Sequence, residues 1–306
     1  MKYRGHETFS IRKNWLAKGI QAVSENPQIF TDKQKNPMDV LGIGRNMVLS
    51  LRYWLKSVGL TEEKRNLQTK KTETFFTDFG KIVFENDRLA EETGTLWLLH
   101  YFLAANKENA TSWYFFYNEF NLSEFSKDDF ILALQNFDKI NGGQTALRSL
   151  EDDFECISNT YISRFKSFEQ FDPEDNLDCP FAELGLLDFL EGKKLYRKRI
   201  PPKKNIPSLI FLAVLYKKLE KDFLNNQNND KNKTNYEILL SDIQNKICMP
   251  GKIFNLDTIS LMDILSDLEN RDLIKVVRTA GLDVVQLSEK KDFSSCVSDY
   301  YAELKK

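Results

Sequence analysis

Two stretches of this chain hold residue types able to act on a phosphoester or a polyanion. The first is Gly5, His6, Glu7, Thr8 and Phe9, followed by Arg12 and Trp15. An imidazole beside a carboxylate can move a proton or hold a divalent metal, and a nearby guanidinium can grip phosphate. His6, Glu7 and Arg12 are therefore the candidate catalytic residues. The competing reading is structural, with His6 and Glu7 capping or pinning the first helix. The second stretch is residues 41–57, where Gly42 and Gly44 precede Arg45, Asn46, Ser50, Arg52 and Lys56. At about 100° per residue, Arg45, Arg52 and Lys56 fall within roughly 40° of one another. Val48, Leu51, Leu55 and Val58 form a second stripe about a third of a turn away. A helix that docks by one stripe and presents cations on the next suits the second helix of a helix-turn-helix. The glycines fit the turn before it, where positive φ or close approach is needed. The alternative is an ordinary amphipathic surface helix.

Other chemistry is sparse. The second histidine, His100, sits among Leu, Trp and Phe and reads as a satisfied core residue. No H-E-x-x-H, Walker loop, G-x-S-x-G or zinc-ligand spacing is present, so neither zinc nor a nucleotide is expected. Asp87, Glu91 and Glu92 could hold magnesium, but an acidic helix start explains them equally. Cys156, Cys179, Cys248 and Cys296 are isolated, which predicts four reduced structural thiols.

The elements that must position these residues follow from periodicity. Trp15, Leu16, Ile20 and Val23 predict a first helix. Pro37, Met38, Val40 and Leu41 predict a short second, and residues 45–58 a third. Leu67, Gln68 and Thr69, then Thr74 to Thr77, predict a two-stranded wing with Lys70 and Lys71 at a basic tip. Three helices and a hairpin is the winged-helix order. A buried helix is expected from Leu96, and the aromatic cluster at 113–120 reads as core. Another helix follows Ser126, and a further one is capped by Thr145. That last helix carries Glu151, Asp152, Asp153 and Glu155, and so reads as a packing or partner surface. Thr258 and the pattern through Leu268, then residues 274–277 and 282–287 around Ala280 and Gly281, predict a second helix-plus-hairpin unit.

The expected class is mainly α with small β wings: a winged helix-turn-helix at 1–85, a helical middle region at 86–224, a flexible Asn-rich linker or insertion at 225–236, and a winged-helix-like domain at 237–306. Residues 1–81 hold 15 Lys/Arg against 8 Asp/Glu, a formal +7, and the remainder holds 28 against 37, a formal −9. That asymmetry places a polyanion site in the first quarter. The basic run at Lys193, Lys194, Arg197, Lys198, Arg199, Lys203 and Lys204 reads as a solvated loop or, less simply, a phosphate clamp. No secretory pattern or membrane-length apolar run is evident, so a cytoplasmic protein is expected.

Several of these motifs occur together in one known family. They are the segment 5–9 with Arg12, residues 15–19, residues 41–48 before Arg52, Tyr53 and Trp54, and residues 95–100. Residues 178–180, 183–186 and 250–256 extend the match nearly end to end. The chain resembles a bacterial domain-of-unknown-function family associated with DNA phosphorothioation, typified by SspB-type DNA nicking components. The resemblance implies a DNA-binding component of a single-strand phosphorothioation (antiphage defence) system, nicking DNA for sulfur incorporation. It also implies partnership with the other proteins of that system. A nickase would be expected to need Mg2+ or Mn2+. The alternative is a non-enzymatic winged-helix adaptor or regulator that presents DNA to sulfur-transfer enzymes. By either reading Arg45, Arg52, Lys56, Lys70 and Lys71 would hold backbone phosphate, and Asn46 or Ser50 would approach base edges. A homo-oligomer is left open.

Overall fold

The computed structural model describes residues 1–32, 34–67, 70–162, 179–226, 237–279, 282–287 and 291–306. It is mainly helical with three small sheets. The chain parts into two compact units, Met1–Arg199 and Ile200–Lys306.

The first unit begins with α1 (Trp15–Glu25), α2 (Pro37–Leu41) and α3 (Arg45–Ser57), close to the expected helices. Asn36 caps α2 by accepting from the Met38 amide, and Pro37 occupies the first turn, where its missing N–H costs nothing. Gly42 ends α2 at φ +63, the left-handed conformation that only glycine adopts freely, and its amide bonds to the Met38 carbonyl. Gly44 has φ −66 and open space where a Cβ would stand, so only the first of the two glycines answers to a backbone demand. Leu16, Ile20 and Val23 of α1 are buried, as are Val48, Leu51 and Leu55 of α3. Each such side chain stabilises the unit by roughly 1.5–3 kcal/mol.

The hairpin differs from the expectation in its first strand. It comprises β1 (Thr61–Arg65) and β2 (Thr72–Phe76), paired antiparallel from Thr61↔Phe76 to Arg65↔Thr72. Leu67 lies beyond β1 and is 91% exposed, while Gln68 and Thr69 fall outside the described residues. The sequence of β1, Thr-Glu-Glu-Lys-Arg, carries no apolar alternation because little of it past Thr61 is buried.

The rest of the unit is α4 (Asp78–Asn86), α5 (Thr93–Ala104), α6 (Thr111–Asn118), α7 (Lys127–Ile140) and α8 (Leu147–Tyr161). A small sheet of β3 (Glu124–Phe125), β4 (Leu187–Leu190) and β5 (Leu195–Lys198), ordered β3-β5-β4, completes it. Burial of α5 extends round the helix, hence its lack of a polar face. A capping box of Ser126 and Asp129 starts α7. Thr145 does not cap α8; its amide donates to Asp138 Oδ2 at 2.8 Å, and Ala146 holds the cap position. The division expected at residue 85 therefore falls inside a unit that continues to residue 199.

The second unit holds α9 (Ser208–Asn226), β6 (Glu237–Leu239), α10 (Leu240–Asn245), α11 (Pro250–Ile253) and α12 (Thr258–Asn270). The hairpin β7 (Ile274–Thr279) and β8 (Leu282–Leu287), then α13 (Phe293–Leu304), complete it. Its sheet order is β6-β8-β7. Asp257, not Thr258, caps α12, accepting from the Ser260 amide. Asn225 and Asn226 belong to α9; the rest of the expected linker, and the turn at Ala280 and Gly281, lie outside the described residues. Among the described residues, no helix is long and apolar enough to cross a membrane.

Candidate nucleic-acid interface

The outward side of α3 is narrow. Arg45, Asn46 and Lys56 are exposed, Leu49 is 42% exposed, and Arg52 is half-buried. Arg45, Leu49, Arg52 and Lys56 stand at i, i+4, i+7 and i+11, so they line one face. Among the described residues neither Arg45 nor Lys56 has a carboxylate partner. Arg52 differs: its Nε donates to Glu63 Oε1 on β1 at 2.5 Å, which ties the helix to the β1–β2 hairpin.

Ser50 is a correction. It is fully buried, and its hydroxyl donates to the Phe9 carbonyl at 3.4 Å beside the Trp54 Nε1 bond to the same oxygen at 2.9 Å. Ser50 therefore faces the N-terminal segment and is not on the exposed stripe. Its position, two residues from Arg52, turns it about 200° round the helix.

Between β1 and β2, Lys70 is exposed with φ +56. Lys71 is exposed and donates to Gln28 Oε1 at 3.1 Å. The neighbouring Asp32 carboxyl is held below the ordinary range, mainly by the Gln34 amide and the Asn26 side chain, with a smaller contribution from Lys71.

The three N-terminal candidates do not converge. His6 is wholly buried. Its Nδ1 accepts from the Thr8 amide at 3.0 Å, which places the ring proton on Nε2, facing Asp153 Oδ1 at 2.7 Å. Asp153, buried on α8, also accepts from the Arg4 amide at 2.7 Å and from the Ser112 hydroxyl on α6. The His6 ring stacks on Trp54 at 6.2 Å and meets Trp113 edge-on at 5.6 Å. Gly5 leaves no room for a side chain, since a Cβ would stand 2.5 Å from the Tyr53 ring. Both imidazole nitrogens are thus engaged inside the protein, and the geometry is that of a pin between the N-terminal segment, α3, α6 and α8. Glu7, at φ +49, is half-buried with no side-chain partner among the described residues. Arg12 lays its guanidinium over Trp15 at 5.3 Å and Phe9 at 5.8 Å, and has no carboxylate partner among the described residues.

Sequence reasoning missed Asp153, 147 residues from His6, although it read the helix as a packing or partner surface. Asp153 pairs inside with His6 and Asp152 with Arg4 at 2.6 Å, while the exposed Glu155 pairs with Lys127 at 2.9 Å. Asp87 caps the start of α5, accepting from the Glu91 and Glu92 amides at 3.0 Å and the Thr95 hydroxyl at 2.5 Å. His100 is a core residue bonded through Nδ1 to the Tyr161 hydroxyl at 2.8 Å. The basic run near 193 is largely absorbed locally. Lys193 and Arg197 reach Glu124, Arg197 and Arg199 reach Asp188, and Lys198 Nζ donates to the Phe116 and Phe120 carbonyls at 2.5 Å. Among the described residues no three His, Cys, Asp or Glu side chains converge as metal ligands. None of the four cysteines is joined in a disulfide.

A protein-family profile described as a protein of unknown function, DUF4007, matches residues 3–301. No curated protein is significantly similar in sequence. Two solved structures are similar in fold. A magnesium ion-bound SspB crystal structure has a TM-score of 0.81 and 22% identity, covering 99% of this chain and 87% of that one. An SspB crystal structure has a TM-score of 0.79 and 22% identity, covering 99% and 94%.

Proposed function

The chain belongs to the DUF4007 family, and on that premise we propose that it is a DNA-binding component of a DNA phosphorothioation system, with unit 1 as its reader. The observation that carries this reading is the exposed pair Arg45 and Lys56 at the two ends of α3, without a carboxylate partner among the described residues, beside a hairpin bearing Lys70. The helix order α1-α2-α3 followed by a hairpin is that of a winged helix, with α3 as the groove-facing helix. At 1.5 Å per residue Arg45 and Lys56 are about 16 Å apart along the axis, enough to reach phosphates on both walls of a major groove roughly 12 Å wide. Asn46 is the exposed amide nearest a base edge.

Unit 2 supports the same assignment by contrast. Its helix, strand, helices and hairpin, with strand order β6-β8-β7, are compatible with a second winged-helix-like unit. Its corresponding helix, α12, carries Asp263, Asp267 and Glu269 and no Lys or Arg. That helix would repel phosphate, so DNA goes to unit 1.

A nicking step is the second reading, favoured by the fold shared with a magnesium ion-bound SspB. Mg2+ commonly takes only one or two carboxylates, with water and substrate phosphate completing its shell. The reading without catalysis, an adaptor that holds DNA for sulfur-transfer enzymes, is favoured by the burial of His6. Fluorescence anisotropy of the full chain with duplex DNA across a salt series tests the binding. Affinity that falls linearly with log salt is expected, and salt-independent or absent binding overturns it. Supercoiled plasmid with Mg2+ or Mn2+ against a chelator separates nickase from adaptor.

A further inference from the structure

We propose that Arg52 reads a base edge, specifically a guanine, and that Glu63 is the residue that positions it. This rests on the DNA-binding reading of α3. Arg52 has been grouped with Arg45 and Lys56 by angle alone, but its surroundings set it apart. Arg45 and Lys56 are exposed and partnerless among the described residues. The Arg52 and Glu63 side chains are 30% and 19% exposed, with the Nε–Oε1 bond at 2.5 Å.

Three consequences follow from elementary chemistry. The ion pair is locally neutral, so Arg52 has little charge left to neutralise a phosphate and contributes little to non-specific affinity. A carboxylate on Nε restrains the long side chain, so the guanidinium fork is largely set before DNA arrives. The two Nη groups have no hydrogen-bond partner among the described residues. A fixed fork with both Nη free matches guanine O6 and N7, the commonest bidentate contact in a major groove.

Position agrees. Arg52 lies between the two terminal cations of the stripe, one turn beyond Leu49 and one turn before Lys56. With Arg45 and Lys56 held by phosphates on the two walls, a side chain between them on the same face would meet the groove floor, where base edges are. Glu63 is able to hold this geometry because β1 is paired along its length to β2, with Glu63 opposite Thr74. The wing thus acts as the rigid support for a side chain on the helix.

The test uses the full chain. A preferred duplex is first selected from random DNA with the wild-type protein, then remade with 7-deazaguanine, which lacks N7, at each guanine in turn. For the wild type, one position should cost about 5- to 150-fold in affinity. Arg52→Ala and Arg52→Lys should lose that position's penalty, because neither offers a fork, and Arg52→Ala should leave the salt slope unchanged. Glu63→Ala should shrink the penalty while steepening the slope by about one, since it frees a cation for phosphate. Glu63→Gln, which keeps an acceptor for Nε, should retain more of the penalty than Glu63→Ala. A purely structural Glu63 would lower thermal stability and affinity for all sequences together and leave the penalty intact, which overturns the proposal. A slope reduced by one in Arg52→Ala with the penalty unchanged makes Arg52 a phosphate clamp and also overturns it. Absence of any 7-deazaguanine penalty in wild-type protein does the same. Failure of the wild type to bind DNA at all is a distinct result, seen before any variant is made, and removes the DNA-binding reading itself.

Discussion

His6 and Glu7 are adjacent in sequence and should respond oppositely to truncation. Removing the His6 ring deletes a hydrogen bond to the buried Asp153 carboxylate and leaves space against Trp54 and Trp113. Asp153 would retain the Arg4 amide and Ser112 hydroxyl but lose one of its three donors. A hydrogen bond to a charged group contributes about 1.5–3 kcal/mol, and stripping a partner from a buried charge costs about 3–5 kcal/mol. With the cavity included, His6→Ala should destabilise unit 1 by about 3–5 kcal/mol. For a unit of this size that lowers Tm by on the order of 6–20 °C. Glu7→Gln, at a half-buried side chain with no partner among the described residues, should stay within about 0.5 kcal/mol. The assay is favourable because Trp15, Trp54, Trp97 and Trp113 are the only tryptophans and all lie in unit 1. Tryptophan fluorescence during urea unfolding therefore reports this unit alone, through the midpoint at unchanged slope. DNA affinity per folded molecule should be the same for wild type and His6→Ala. A His6→Ala protein within about 1 kcal/mol of wild type that has lost DNA binding or nicking would refute the structural assignment of the pin.

Arg45→Ala combined with Lys56→Ala should weaken binding to all duplex sequences and shallow the salt slope by about two, read from anisotropy at several salt concentrations. Thiol labelling at neutral pH should find Cys248 first, because it alone is not buried. Burial pushes Cys296 up to about 12 and Cys156 well above the ordinary thiol range, so their thiolates appear only as pH climbs towards those values. Mass mapping of a limiting alkylation checks this; early modification of Cys156 would contradict it. Lys198→Met keeps the apolar stem but removes the ammonium that caps the Phe116 and Phe120 carbonyls. A loss of about 1–3 kcal/mol in the unit 1 unfolding midpoint is expected.

What could be read from the sequence was local. Helices α1 to α3 were legible because their apolar positions repeat at helical spacing and a proline and a glycine bracket α2. Strand β1 was not, since Glu62 to Arg65 hold no apolar residue and only the register against β2 makes them a strand. The angular stripe grouped Arg52 with its neighbours correctly in position but not in state. Its partner Glu63 is eleven residues on, across a turn that periodicity does not see. Ser50 was misassigned because a small polar residue in a basic segment looks solvated, whereas the Phe9 carbonyl is buried against it. The partner of His6 was illegible in principle: nothing in the local spacing points to Asp153.

That distance in sequence has a consequence for biosynthesis. A ribosome adds about 5–20 residues per second, so the 147 residues between His6 and Asp153 take about 7–30 s to make. Throughout that interval the nascent N-terminal segment holds Arg4 and the His6 imidazole without the α8 carboxylates that later receive them. Helix α3 can form early, but its seat on the rest of the unit closes only when α8 has been translated. A pause introduced between codons 86 and 147 should therefore lengthen the time during which nascent unit 1 is open to proteases, while a pause after residue 199 should not.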